Sequence, residues 1–315
     1  MTTPESRKLL VALDGSEQAM AAVEYVAAVF PREHIRIDLF HVSEQLSDLF
    51  ADMEANPLYK TKTSRLRQWI TDQQHKTHHY LESARESLLT AGFPEEQVTT
   101  RIQPKKLGVV RDIVKTSYDA YSAVIVGRSG LSRLKDRLLL KNVAFQLVGK
   151  VHHLPLVVVG GRPRKRKLCV AFDGSSGSLR GVSWVSHLVG GGDCQIALLS
   201  LVSQGGRFWI DDEEFFLRSL SEEAVSQCRE KVGPCIQSAC DLLVKGGLAP
   251  ENVSQRIEAT DTERAAFIVK WATENGCDTI VLGRRSLVSF LDALFVGRIS
   301  DRGLNLADKL AVWVI

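Results

Sequence analysis

The sequence predicts an α/β protein of two repeated domains, each a doubly wound, five-stranded, mostly parallel sheet with helices on both faces. The first reason is a repeat: residues 11–16 read VALDGS and residues 170–175 read VAFDGS, an offset of 159 residues (170 − 11). Further similar pairs follow in the same order: 98–102 with 253–257, 124–128 with 280–284, and 154–159 with 310–315. The second reason is that nearly continuous apolar segments alternate with helix-like ones, which is typical of parallel sheets covered on both sides. A repeat of this length is a whole domain rather than a solenoid unit.

The elements of the two copies correspond one to one. Each copy opens with an apolar strand that ends in Asp-Gly-Ser; Ser and Asp are good helix N-caps, and Gly permits the tight turn before a helix. The later predicted elements are a second strand (35–42, 195–202), a long helix (64–91, 222–245), a third strand (97–102, 252–257), a helix (109–121, 262–275), a fourth strand (123–126, 279–282) and a fifth strand (154–159, 310–315). The predicted domains are residues 1–161 and 162–315.

Composition excludes several classes of protein. The net charge of +3 gives no argument for nucleic-acid binding, and the basic run at 162–167 is expected to be a solvated linker. No apolar run approaches the roughly 20 residues of a membrane span, and the N-terminus lacks the apolar core of a signal peptide. All six cysteines lie in the second copy, so no disulfide is common to both domains. We therefore expect reduced thiols and a cytoplasmic location.

A glycine-containing loop, GRSGLSRLKD at 127–136, follows the fourth strand of the first copy. Glycines let backbone N–H groups approach a phosphate, although Gly-x-x-Gly alone is weak evidence. In doubly wound folds, ligands bind at the carboxyl ends of the strands, where the strand order reverses. Asp14, Gly15 and Ser16 should lie at that edge together with the loop after Gly127.

Taken with the VA-x-DGS strands and with His41 and Val42 at the end of the second strand, this loop resembles the universal stress protein family in its tandem form. The resemblance implies an adenine-nucleotide alpha-hydrolase-like fold. In members that bind ATP, it implies that the adenosine lies near an aspartate and a valine, here Asp14 and Val42 or Asp173 and Val202. It also implies that Gly-x2-Gly-x9-Gly-Ser/Thr holds the phosphates.

Neither copy contains the complete phosphate motif. The first copy has Gly127 and Gly130, but Leu140 and Lys141 stand where Gly-Ser is expected. The second has Gly283, with Ser286 in place of the second glycine, and its late Gly297 stands one residue beyond the expected position and is followed by Arg298. Losing one charge-assisted hydrogen bond costs roughly 1.5–3 kcal/mol. Basic residues could supply charge instead, although basic residues on a loop more often form a solvated face. They are Arg128, Arg133 and Lys141 in the first copy, and Arg284, Arg285 and Arg298 in the second. The first copy is the better candidate because it has both early glycines.

No catalytic or metal site is predicted. His75, His78 and His79 have helical spacing but no carboxylate or thiol beside them, and the second copy lacks them. Asp14 and Asp173 have no histidine that recurs in both copies, and neither a P-loop nor a Gly-x-Ser-x-Gly elbow occurs. The stretch at 45–62 and the aromatic segment at 208–217 are expected either to cover a core or to border the site as a pocket or partner surface.

The resemblance also implies that the two fifth strands pair within the chain, as a pseudo-twofold dimer, with further homodimerisation left open. The sequence therefore predicts a non-catalytic stress-response regulator that acts through ligand binding, with ATP or AMP as candidate cofactors, and through protein partners of unknown identity. One alternative is an interaction protein whose pockets are degenerate or take a non-nucleotide ligand. A slow ATPase is the other.

Overall fold

The structure is a computed structural model. It describes residues 7–43, 60–128, 143–163, 165–203, 207–210, 213–216, 222–260, 263–284 and 309–315. Five predicted site residues lie outside these ranges: Gly130, Lys141, Ser286, Gly297 and Arg298, and so do Arg133 and Arg285. Most of the stretch at 45–62 also lies outside them.

Both halves contain the predicted succession of strands and helices. The first half comprises β1 (Arg7–Ala12), α1 (Glu17–Val29), β2 (Ile35–Ser43), α2 (Lys60–Thr90), β3 (Val98–Pro104), α3 (Val109–Ser117), β4 (Ala123–Gly127), α4 (Val143–Val148) and β5 (Leu156–Val159). The second comprises β6 (Lys167–Ala171), α5 (Ser176–Val189), β7 (Gln195–Ser203), β8 (Arg207–Ile210), β9 (Glu213–Phe216), α6 (Glu222–Lys245), β10 (Val253–Thr260), α7 (Arg264–Glu274), β11 (Thr279–Leu282) and β12 (Ala311–Val314).

Ten strands form one sheet in the order β10-β7-β6-β11-β12-β5-β4-β1-β2-β3. The strand order reverses between β1 and β4 in the first half and between β6 and β11 in the second, as the doubly wound prediction requires. Every neighbouring pair is parallel except β5 and β12, which are antiparallel with Val158 opposite Val312. The predicted α/β fold and the pairing of the two fifth strands are therefore confirmed.

Side chains that alternate along the strands form a core on each face of the sheet. Leu9 and Val11 of β1 belong to one cluster of fully buried residues, and Leu10 belongs to the other. The first cluster runs across both halves and contains a polar link between them. The hydroxyl of Tyr25 lies 2.6 Å from Thr279 Oγ1 and accepts a hydrogen bond of 2.8 Å from Trp313 Nε1. The apolar sides of the helices on both faces of the sheet are buried in these two clusters. The first cluster and its polar link hold the two halves against each other.

In α2, most side chains from 67 to 79 are exposed, and Trp69 is 52% exposed. Among the described helices, none is both long enough and apolar enough to cross a membrane. The aromatic segment at 208–217 contains an antiparallel pair of strands, β8 and β9, that the sequence did not predict.

Candidate functional site

The Asp-Gly-Ser turn has the same geometry in both halves. Asp14 Oδ1 accepts hydrogen bonds from the backbone N (3.0 Å) and Oγ (2.6 Å) of Ser16, and Ser16 Oγ accepts one from the N–H of Ala19, at 3.2 Å, as the cap of α1. Asp173 and Ser175 repeat these bonds at 3.1 and 2.6 Å at the start of α5. The intervening Gly15 and Gly174 both have φ of 79°, which favours glycine. Each aspartate therefore orders the turn and stands at the carboxyl edge of the sheet.

In the first half, a tyrosine from α2 covers this turn. A Cβ placed on Gly15 would lie 2.7 Å from Cε1 of Tyr80, so the ring packs directly on the glycine. The Tyr80 hydroxyl lies 2.5 Å from His41 Nδ1, and that nitrogen lies 2.8 Å from the carbonyl oxygen of Leu13. Burial raises the pKa of the Tyr80 phenol. Val42, expected to lie near an adenosine, is 9% exposed and packs in the core.

Among the described residues, the second half has no counterpart of this cover. Counting back from the Gly-containing ends of α2 and α6, Cys235 stands where the first half has Tyr80, an offset of 155 residues (235 − 80). Leu201 stands where the first half has His41. Two smaller or apolar residues thus replace the hydrogen-bonded Tyr-His pair, and within the part of the chain that the structure describes the mouth is open.

A cavity of about 670 Å³ lies at this open mouth. Its apolar wall includes Phe172 just after β6, Leu199 within β7 and Leu282 at the end of β11, on three neighbouring strands. Its polar lining includes Asp173, with three arginines from α5, α7 and the end of β11: Arg180, Arg264 and Arg284. Burial lowers the pKa of the Arg264 guanidinium, and the carboxylate of Asp173 acts in the opposite direction. Positive charge exceeds negative charge in the lining, which favours an anion.

One wall of this cavity comes from the first half. Because β5 runs antiparallel to β12, the residues just before β5 lie at the carboxyl edge of the second half's strands. His152, His153 and Leu154 accordingly line the cavity. The ring of His153 stacks on Tyr118 with centroids 3.8 Å apart, and its Nε2 donates to the carbonyl of Ser117 at 3.2 Å. The site is therefore a composite of both halves.

The glycines after the fourth strands have different surroundings. A Cβ on Gly127 would overlap the carbonyl of Gln18 and lie 2.7 Å from the N of Ala19. Close packing against the first turn of α1 therefore explains this glycine. At Gly283, a Cβ would meet no atom nearer than 3.9 Å, and the residue lines the cavity.

The arginines that follow these glycines contact protein groups. Arg284 Nη1 donates to the carbonyl of Val148 at 3.1 Å, and its Nη2 donates to that of Val151, so the guanidinium caps the end of α4 in the other half. Burial lowers the pKa of Arg284. Arg128 is 3% exposed. Val202, the counterpart of Val42, is fully buried in β7.

Sequence reasoning missed several residues that the structure brings to these sites: Tyr80, His153, Arg180, Trp184 and Arg264. A comparison of the two copies could have indicated Tyr80, because this large polar aromatic residue corresponds to the small Cys235 in the second copy. The other four residues could not be found in this way, because their role depends on which helices and strands come together around the cavity. His75, His78 and His79 lie on α2, and within the described part of the chain no cluster of three metal-binding side chains occurs.

The two halves are α/β units with the same strand order, and their fifth strands join them edge to edge. The chain is therefore a tandem α/β protein. The sequence profile of the universal stress protein family matches residues 5–160 and again residues 165–315. The chain therefore belongs to the universal stress protein family, with the domain present twice.

Solved structures with this fold include a universal stress protein from Archaeoglobus fulgidus. It is 17% identical, covers 98% of this chain and 96% of its own, and has a TM-score of 0.56. A putative universal stress protein from Pseudomonas aeruginosa is 14% identical over 98% of this chain and 92% of its own, with a TM-score of 0.47. A universal stress protein solved in complex with cAMP is 13% identical over 47% of this chain and 94% of its own, with a TM-score of 0.31. No curated protein matches the chain.

Proposed function

We propose that this universal stress protein is a non-catalytic regulator that binds a small anionic ligand in the cavity of its second half. The observation that carries the proposal is the open cavity of about 670 Å³, where three arginines and Asp173 surround an apolar wall. Its volume falls within the roughly 300–1,000 Å³ of typical small-molecule sites. The mixture of apolar wall and cationic lining fits a nucleotide, and AMP or ATP are the ligands to test first.

The second half thus replaces the first as the leading candidate. The sequence favoured the first half because of glycines at 127 and 130, but position 130 lies outside the described residues. The described residues show Tyr80 packed on Gly15 in the first half and an open mouth in the second. A cytosolic location is part of the proposal and is supported by the free thiols of Cys169, Cys194, Cys235, Cys240 and Cys277.

A matched pair of variants tests the proposal. Asp14→Ala and Asp173→Ala remove the same turn-ordering carboxylate, so they should affect folding equally, but Asp173 alone lines the cavity. Titration calorimetry with AMP and ATP should show binding to the wild type and to Asp14→Ala. Asp173→Ala should bind roughly tenfold or more weakly, the loss expected for a hydrogen bond to a charged group.

Blocking the cavity gives a second readout. Gly283→Leu places a side chain into space where a Cβ meets nothing within 3.9 Å, so the variant should fold and lose ligand. Ligand at 100 times its dissociation constant stabilises the wild type by about 2.7 kcal/mol, which a thermal shift detects. Absence of any shift with millimolar AMP or ATP, or loss of binding in Asp14→Ala rather than Asp173→Ala, contradicts the proposal.

The alternative of an interaction protein is favoured by one observation, the Tyr80 cover in the first half. If the first half binds no small molecule, its function is to present surfaces to a partner and to complete the composite cavity. Phosphate release from ATP that exceeds background and stops in Asp173→Ala would instead support a slow ATPase.

A further inference from the structure

The boundary between the two halves has two sides, related by the pseudo-twofold axis, and one side is filled. There, Tyr25 and Phe30 from the α1 region of the first half meet Thr279 and Trp313 of the second. The Phe30 and Trp313 rings stack with centroids 5.6 Å apart, and the Tyr25 hydroxyl bonds to both second-half side chains. Tyr25, Thr279 and Trp313 are fully buried.

The equivalent residues on the other side are mostly smaller. Offsets of 159 and 156 residues place Trp184 opposite Tyr25, Val189 opposite Phe30, Ala123 opposite Thr279 and Val157 opposite Trp313. Among these four equivalent residues, Trp184 alone has a large ring, and none has a hydroxyl that could bond across the boundary. A cleft of about 420 Å³ opens instead, lined by Ser122 of the first half and by Arg180, Ser183, Trp184 and His187 of α5. We call it the boundary cleft.

The boundary cleft adjoins the cavity described above, because Arg180 and Trp184 line both. Along α5, the lining runs from Gly177 in the cavity to His187 in the cleft. Ten residues of helix span roughly 15 Å, which is longer than one base and its sugar. The two spaces adjoin along one face of α5, and residues of both halves line each of them. We call the two together the elongated site.

The side chains at the cleft end have a definite chemistry. Arg180 is exposed and forms no ion pair with other described residues, so its guanidinium is available to a phosphate at the junction. Trp184 and His187 present two ring systems with centroids 5.7 Å apart and planes at 77°. Aromatic side chains stack on the π-face of a heteroaromatic base, whichever base it is. The corresponding positions on α1 are Ala21, Tyr25 and Ala28, so the fold itself does not require this arrangement.

From this geometry we propose that the elongated site binds a dinucleotide, two nucleosides joined through phosphates. One base lies in the cavity, the phosphates lie beside Arg180, and the second base lies in the boundary cleft against Trp184 and His187. The inference rests on the proposed function, since the cavity holds the first nucleotide, and it adds the ligand class.

The test compares NAD⁺, as a dinucleotide probe, with AMP on the full chain by titration calorimetry. NAD⁺ should bind the wild type at least fivefold more tightly than AMP. Trp184→Ala should weaken NAD⁺ binding by about 5- to 150-fold, the range for loss of one base–aromatic stack, and should weaken AMP binding less, because Trp184 also lines the cavity. Trp69→Ala, which removes an exposed tryptophan on α2, is the matched control and should change neither affinity.

Trp184 is partly buried, so His187→Ala provides a second variant that removes a cleft residue with less effect on the core. It should reduce NAD⁺ affinity selectively in the same direction. Equal wild-type affinities for NAD⁺ and AMP, or a preference for NAD⁺ that persists in both cleft variants, overturns the dinucleotide inference and leaves the proposed function standing. Failure of both probes to bind overturns the two together.

Discussion

Replacing Tyr25 by phenylalanine should destabilise the whole chain, because its hydroxyl is the polar link across the filled side of the boundary. The hydroxyl bonds Thr279 Oγ1 at 2.6 Å and accepts from Trp313 Nε1 at 2.8 Å, with all three side chains fully buried. Without it, a buried indole N–H loses its partner, and so does a buried hydroxyl. Each unsatisfied group costs about 1–3 kcal/mol, so the free energy of unfolding should fall by about 2–6 kcal/mol.

Urea unfolding followed by circular dichroism measures this change, and the m value should stay constant. Tyr118→Phe is the control: this tyrosine is 66% exposed, so removing its hydroxyl should change the free energy of unfolding by less than about 0.5 kcal/mol. In a double-mutant cycle, Thr279→Val together with Tyr25→Phe should cost less than the sum of the single changes, because the pair is removed together. If Tyr25→Phe were as stable as Tyr118→Phe, the reasoning from buried, unpaired groups would be refuted.

Three further outcomes are expected. Gly127→Ala should cost about 1–3 kcal/mol of unfolding free energy, because its Cβ overlaps the carbonyl of Gln18, whereas Gly283→Ala should be close to neutral; equal effects in thermal melts would contradict the packing argument. Arg284→Ala should cost about 1.5–3 kcal/mol in urea unfolding, because two carbonyls at the end of α4 lose a charged donor; an unchanged midpoint would exclude the cap. Burial raises the pKa of Cys277 from 9.0 to about 11. The thiol therefore ionises first in the unfolded chain, and the free energy of unfolding should fall as pH rises from about 9 to 11. Cys277→Ala should make this fall less steep, and an equally steep fall in the variant would contradict the role of Cys277.

Local patterns predicted most of the fold. The DGS turns predicted both helix starts, because Asp and Ser are good N-caps and Gly permits the tight turn. Ser16 and Ser175 cap their helices as expected. The apolar periodicity of the strands predicted the sheet. The hairpin of β8 and β9 was missed because an aromatic, acidic segment has no clear period and no glycine turn.

The site was less predictable than the fold, because it is formed by contacts between segments that are far apart in the sequence. His153 reaches the second-half cavity because β5 is antiparallel to β12, a relation that no local pattern contains. Arg284 was one of the basic residues that could supply charge to a phosphate, and its pattern gave no sign that its guanidinium donates to backbone carbonyls of the other half. Whether the first half binds a nucleotide could not be judged from its glycines, since Tyr80 acts from a different helix.

The antiparallel pair of β5 and β12 also affects how the chain can fold during synthesis. Leu156 to Val159 are fully or almost fully buried beside a strand that is made about 155 residues later (314 − 159). At about 5–20 residues per second, that edge waits roughly 8–30 s for its partner. An unpaired apolar edge readily accepts another strand, so nascent first halves on neighbouring ribosomes could pair with each other. Chaperone cover of β5 would be most useful during this interval.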